Sequence, residues 1–246
     1  MDTARTLSQV TPAVHRPSHI SGMSRIAGIL YILIAVASGV AHGYVPSTLL
    51  VAGDSAATLA NLSANPGLFR LGFGSELLIL LSEVALSVLL YFLLRPVGKS
   101  IAMMASAFRL VMTTIHGLNL LNYFFALEIV KMTIFPPDQQ QALLELFLTG
   151  HARGFSIGIV FLIPHMFLLG YLMLKALYIP KPIGALFVVA GVGYLIDSVL
   201  RFSTETYTAT PAILAIMIAS AEIIFPLWLL IRGINSQAFA AQENAI

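Results

Sequence analysis

The chain has 246 residues, 58% of them hydrophobic and 10% charged, with a formal net charge of +2 and no cysteine. A soluble domain of this size needs roughly 25% charged residues to cover its surface, so a soluble globular fold is excluded, and so few cations leave no electrostatic footprint for nucleic acid. The lack of cysteine removes disulfides, thiolate metal ligands and cysteine nucleophiles together.

Residues 1–24 are polar, contain Pro12 and Pro17, and show no periodicity, so they read as a disordered tail carrying Arg5 and Arg16. Six apolar stretches follow, at 26–44, 73–94, 101–130, 155–174, 183–200 and 211–231. Each reaches or approaches the ~20 residues that cross ~30 Å of hydrocarbon at 1.5 Å per residue. Backbone groups in lipid have no water to bond, so spans of this length are helices. The first stretch, preceded by Arg25 and containing Ala35-Val36-Ala37, also resembles a cleaved signal peptide. Its near-bilayer length and the five spans after it favour an uncleaved first helix. The fold class is therefore all-α: a polytopic bundle of six transmembrane helices over 25–233, with a short cytoplasmic tail at 234–246.

Basic residues in the short connections set the orientation. An inside N-terminus puts Arg5, Arg16, Arg25, Arg95, Lys99, Lys175, Lys181 and Arg232 in the cytoplasm and Arg70, Lys131, Arg153 and Arg201 outside, eight against four. Both termini are expected to be cytoplasmic, in a plasma membrane. Two outer connections are long enough for short interfacial helices. Asp54 is placed to cap one over 56–62, and Asp138 to cap a second over 142–148, closed by Gly150.

Ionisable side chains at bilayer depth are costly and normally face a bundle interior or a wet cavity. Glu76 and Glu83 lie seven residues apart, hence on one face of the second span; Arg109, His116 and Tyr123 repeat that spacing in the third. Counting from the span ends puts Glu83, His116, His165 and Glu222 near the midplane, and His42, Glu76, Asp197 and Arg201 in the outer half. This predicts a polar cavity toward the outer half. Pro226 frees the carbonyl of Glu222, and Pro164, beside His165, frees that of Val160. Arg109 needs a partner at depth, for which Glu83 and Glu222 are the candidates, while Asp197 and Arg201 are spaced to pair with each other.

Motifs for phosphate, dinucleotide or serine-nucleophile chemistry are missing. His116 and His165 on consecutive spans could hold a haem or metal, although their spacing carries no ligand motif. Gly191-Val192-Gly193 reads as close helix packing.

Arg25-Ile26-Ala27-Gly28-Ile29-Leu30-Tyr31, Phe108-Arg109-Leu110-Val111, Gly193-Tyr194-Leu195-Ile196-Asp197-Ser198 and Glu222 with Pro226-Leu227-Trp228-Leu229-Leu230-Ile231-Arg232-Gly233 together resemble a bacterial membrane family, known as domain-of-unknown-function family 4386. The resemblance covers roughly 25–235 and implies one domain of about six helices in a prokaryotic plasma membrane. It implies no activity, substrate, cofactor or site residue. Members often carry glutamate where this chain has Met112, which turns attention to Glu83 or Glu222 as the partner of Arg109.

The expected function is to bind, sense or move a small ligand or protons through an outward-facing polar cavity, without catalysis. The candidate ligand-binding residues are Glu83, Arg109, His116, Asp197 and Glu222. Two other readings stay open: a membrane-embedded enzyme or redox protein with a histidine-held metal or haem, and a structural or partner-binding subunit. The lipid bilayer is the one partner that composition names.

Overall fold

The structure is a computed structural model that describes residues 17–204, 206, 207 and 209–245. It contains nine α-helices among those residues and no strand. They are α1 (Pro17–Ser38), α2 (Val45–Leu49), α3 (Ser55–Ala64), α4 (Pro66–Leu94), α5 (Lys99–Lys131), α6 (Pro137–Lys175), α7 (Lys181–Ser203), α8 (Ala212–Ile231) and α9 (Ser236–Glu243). A π-helical segment, Gly39–Tyr44, joins α1 to α2, so the first span runs unbroken from His19 to Leu49. This span and α4 to α8 are the six helices long and apolar enough to cross a membrane. The protein is an all-α, multi-pass membrane bundle. Leu81 (71% exposed), Ile216 (65%) and Ile231 (75%) point outward from it, a surface suited to acyl chains and not to water.

Sequence neighbours pack side by side, α1 on α4, then α5, α6, α7 and α8, and α8 closes back on α1. The six spans thus form a ring that alternates in direction. One end carries the start of α1, α9 and the connections at 95–98 and 176–180; we call it the terminal end. The other carries α2, α3 and the connections at 132–136 and 204–211; we call it the loop end.

Lipid gives helices no hydrophobic reason to associate, so close approach relies on small residues. On α6 and α7, a Cβ at Gly184 would lie 2.8 Å from the Leu174 nitrogen, and one at Gly170 would lie 3.0 Å from the Gly184 carbonyl oxygen. Gly28 of α1 sits against Leu230 and the Pro226 carbonyl of α8. Gly191 and Gly193, in the expected packing segment, lie against Phe167 and Ile218. Pro164 and Pro226 stay inside continuous helices.

Several expected boundaries shift. Helix α1 begins at Pro17, so the last part of the expected tail is helical, while its disorder over 1–16 lies outside the described residues. Within the expected short tail lies α9: Asn235 caps it by accepting from the Gln237 and Ala238 amides, and Phe239 packs against Tyr178. Of the two expected interfacial helices, α3 forms, and Asp54 accepts from the Ala57 amide as its cap. The second does not exist as a separate element. Residues 142–148 belong to α6, 39 residues and roughly 58 Å long, Asp138 makes no capping bond, and Gly150 lies mid-helix. Gly150 is helical because α5 offers it a packing partner, Asn122, that the sequence pattern alone did not reveal.

Candidate functional site

Two apolar cores fill the ring, one toward the terminal end around Leu90, Leu169 and Phe187, the other toward the loop end around Leu49, Phe69 and Tyr123. Between them lies a polar layer. The seven-residue spacing on α4 and α5 accounts for it, since it turns Glu76 and Glu83 toward the Arg109, His116 and Tyr123 stripe.

At the deeper level Arg109 Nε donates to Glu83 Oε2, and both side chains are buried. Arg109 Nη1 donates to His165 Nε2 at 3.1 Å, and His165 Nδ1 donates to the Ala105 carbonyl at 2.8 Å. A carbonyl only accepts and a guanidinium only donates, so His165 is a neutral ring with its proton on Nδ1. The Arg109 guanidinium also lies 5.3 Å from the Tyr31 ring centre. Of the two partners expected for Arg109, Glu83 makes the pair and Glu222 does not.

His116 holds the Phe155 carbonyl through Nε2 at 3.0 Å and stacks on the Phe155 ring at 4.5 Å. Glu222 Oε1 accepts from the Tyr194 hydroxyl at 2.5 Å, and Glu222 forms no ion pair among the described residues. Glu83, Arg109, His116 and Glu222 all line one cavity of about 360 Å³ at the centre of the ring, together with Tyr31 and Tyr194. Asp197, the fifth candidate, does not reach it. It accepts from Arg201 at 3.2 Å and from the Tyr207 hydroxyl at 2.6 Å, and lines a second cavity of about 670 Å³ nearer the loop end. His42, Phe155, Ile159 and Tyr194 line both cavities and form their shared wall.

Toward the loop end, His151 Nε2 meets Glu76 Oε2 at 3.1 Å, and Tyr123 stacks on the His151 ring at 3.6 Å. Glu76, placed by its sequence position in the outer half of its span, is 6% exposed; its Oε1 has no hydrogen-bond partner, and His42 Nδ1 is 3.9 Å from it. The π-helical segment adds a residue per turn and re-aims the chain there, which carries His42 to that position.

His151 and the asparagines of α5 were not among the candidates. A readable signal was present in Gly150, Gly154 and Gly158, spaced by four along α6. A Cβ at Gly154 would lie 2.0 Å from Asn119 Oδ1, and one at Gly158 only 2.1 Å from His116 Nε2. These three glycines make room for the polar face of α5. Asn119 Nδ2 uses that room to donate to the His151 carbonyl at 2.8 Å.

The donor set answers the idea of a metal or haem between His116 and His165. Both ring nitrogens of His165 are occupied, by Ala105 and Arg109, so it could ligate only by giving up one of those bonds.

The family model described as "Domain of unknown function (DUF4386)" matches residues 26–233, the same stretch that carried the resemblance in the sequence. An uncharacterized protein of Archaeoglobus fulgidus is 36% identical over 156 residues, covering 63% of this chain and 80% of that relative. No solved structure matches the chain. The chain belongs to the DUF4386 family.

Proposed function

Taking that membership as the premise, we propose that this integral membrane protein binds, senses or moves a small ligand or protons through the cavity at the centre of its ring, without catalysing a reaction. One observation supports the reading above the others: all six spans contribute to the lining of a single cavity, and five of them contribute an ionisable or phenolic side chain. A bundle held only by packing has no use for such groups at bilayer depth, where each is costly. In this reading Arg109 is the fixed charge, held by Glu83 and His165, and Glu222 and His116 are the groups that exchange a proton or a ligand. Asp197 and Arg201 flank the route of entry through the wider cavity. The protein resides in a prokaryotic plasma membrane with both termini in the cytoplasm, so the loop end and its cavity face outward.

The test is a comparison of parent, Glu83→Gln and Glu222→Gln proteins in proteoliposomes, following proton flux and ligand-dependent melting against a panel of metabolites and lipids. Loss or strong change in at least one variant is expected. Parent-like behaviour in both removes the site. A subunit with a merely architectural polar layer gives a large stability loss on changing Arg109 and no ligand-dependent shift in any protein.

A further inference from the structure

We propose that the central cavity takes a small organic ammonium ion, with Glu222 as its counter-charge. The proposal rests on the ligand-binding reading above and specifies what that ligand is.

The charges in the lining lead to it. Glu83, Arg109 and Glu222 are the carboxylates and guanidinium that face the cavity. Arg109 is matched by Glu83. Among the described residues Glu222 forms no ion pair, and its Oε1 accepts from a neutral phenol, Tyr194. The two histidines in the lining are engaged elsewhere: His116 with the Phe155 carbonyl, and His42 near Glu76. The lining therefore has one carboxylate without a cation, at a depth where a lone charge is costly. An ammonium group supplies the missing charge and N–H donors, and charge-assisted hydrogen bonds of this kind are the strong ones.

The remaining wall includes Phe155, Phe187 and Tyr194, and aromatic faces attract a desolvated cation. The volume of about 360 Å³ suits a molecule of modest size. An anion would instead have to sit among two carboxylates to reach Arg109.

The probes are cyclohexylmethylammonium, cyclohexylmethanol and cyclohexanecarboxylate, which share a ring and differ in charge. Saturable binding to the full chain in nanodiscs is measured by calorimetry at neutral pH. The ammonium is expected to bind about tenfold or more tighter than the alcohol. Glu222→Gln should bring it down to the level of the alcohol. Glu222→Asp, which draws the carboxylate back by one methylene, should weaken the ammonium severalfold and leave the alcohol unchanged, and it carries the test should Glu222→Gln fail to fold. Equal binding of ammonium and alcohol, or preference for the carboxylate, overturns the proposal while leaving a ligand-binding cavity. Binding of none of the three by a protein of parental melting behaviour overturns both.

Discussion

The half of the bundle next to the termini and the half next to the loops are cut from the same six helices but are filled differently. The terminal half is apolar and closed. Ser87 and Ser106 satisfy each other's carbonyls at 3.0 Å, Gly170 and Gly184 bring α6 and α7 into backbone contact, and the Tyr178 hydroxyl donates to the Leu93 carbonyl at 2.6 Å. The loop half uses its glycines for another purpose. Gly150, Gly154 and Gly158 face Asn122, Asn119 and His116, so the space a side chain would occupy is given to polar groups of the neighbouring helix. Gly170 and Gly184 thus seal one half, while the three glycines of α6 make room for polarity in the other. Arg109 sits where the two meet.

Five substitutions can break or sharpen that contrast. The largest effect is expected at the boundary. Arg109→Met leaves Glu83 buried without its cation and His165 without its donor, which should cost about 3–5 kcal/mol of stability in denaturant unfolding of the solubilised protein. A loss under about 1 kcal/mol would mean the boundary is not held by charge.

Next come the two kinds of glycine. Gly158→Ala puts a Cβ against the His116 ring, and Gly170→Ala puts one 2.8 Å from Val188 Cγ2 and 3.0 Å from the Gly184 carbonyl; each should cost about 1–3 kcal/mol. The contrast lies in the rescue. His116→Ala in the Gly158→Ala background should recover much of the melting temperature, because a side chain is the obstacle. Val188→Ala should not rescue Gly170→Ala, because backbone also stands in the way.

A smaller loss, about 1 kcal/mol, is expected for Tyr178→Phe in the terminal plug. Burial, and then the Glu243 carboxylate, holds the Tyr178 hydroxyl above the ordinary tyrosine value. Its contribution is therefore complete below about pH 10, the unfolded value, and is lost as pH climbs through the raised folded one. The deficit of Tyr178→Phe should stay constant across neutral pH in thermal unfolding, and a deficit that varied there would assign the donor role to another group. The smallest effect is expected at Arg95→Ala. Its pair with Glu243, 3.4 Å apart with side chains 32% and 36% exposed, should be worth well under about 1 kcal/mol by the same assay.

The six spans were legible because composition and length leave helices as the only answer in lipid. The pairing of Glu83 with Arg109 was half legible: periodicity named both faces, but two acids were in reach, and only the order of helices around the ring selects Glu83. Asp197 and Arg201 were legible as a pair from their spacing of four. Their separation from the central cavity was not, because Tyr194 and its neighbours form the shared wall and no local pattern says which face of α7 they occupy. His151 and Glu76 were hidden for a similar reason. The loop-end part of α6 looks in sequence like a separate helix ending at Gly150, and only contact with α5 shows that this glycine continues the span.

The central claim, a polar cavity inside the ring reached from the loop end, is tested most directly by thiol accessibility. The chain has no cysteine, so single cysteines report without background. Ser38→Cys lines the cavity, whereas Leu81→Cys replaces a side chain 71% exposed on the outside of the ring. Thiolates form and react in water and not in hydrocarbon. A small, charged, membrane-impermeant methanethiosulfonate added at the loop end of oriented vesicles should label Ser38→Cys and leave Leu81→Cys untouched. Equal resistance of the two positions, or labelling of Leu81→Cys alone, would contradict the cavity and the functional account built on it.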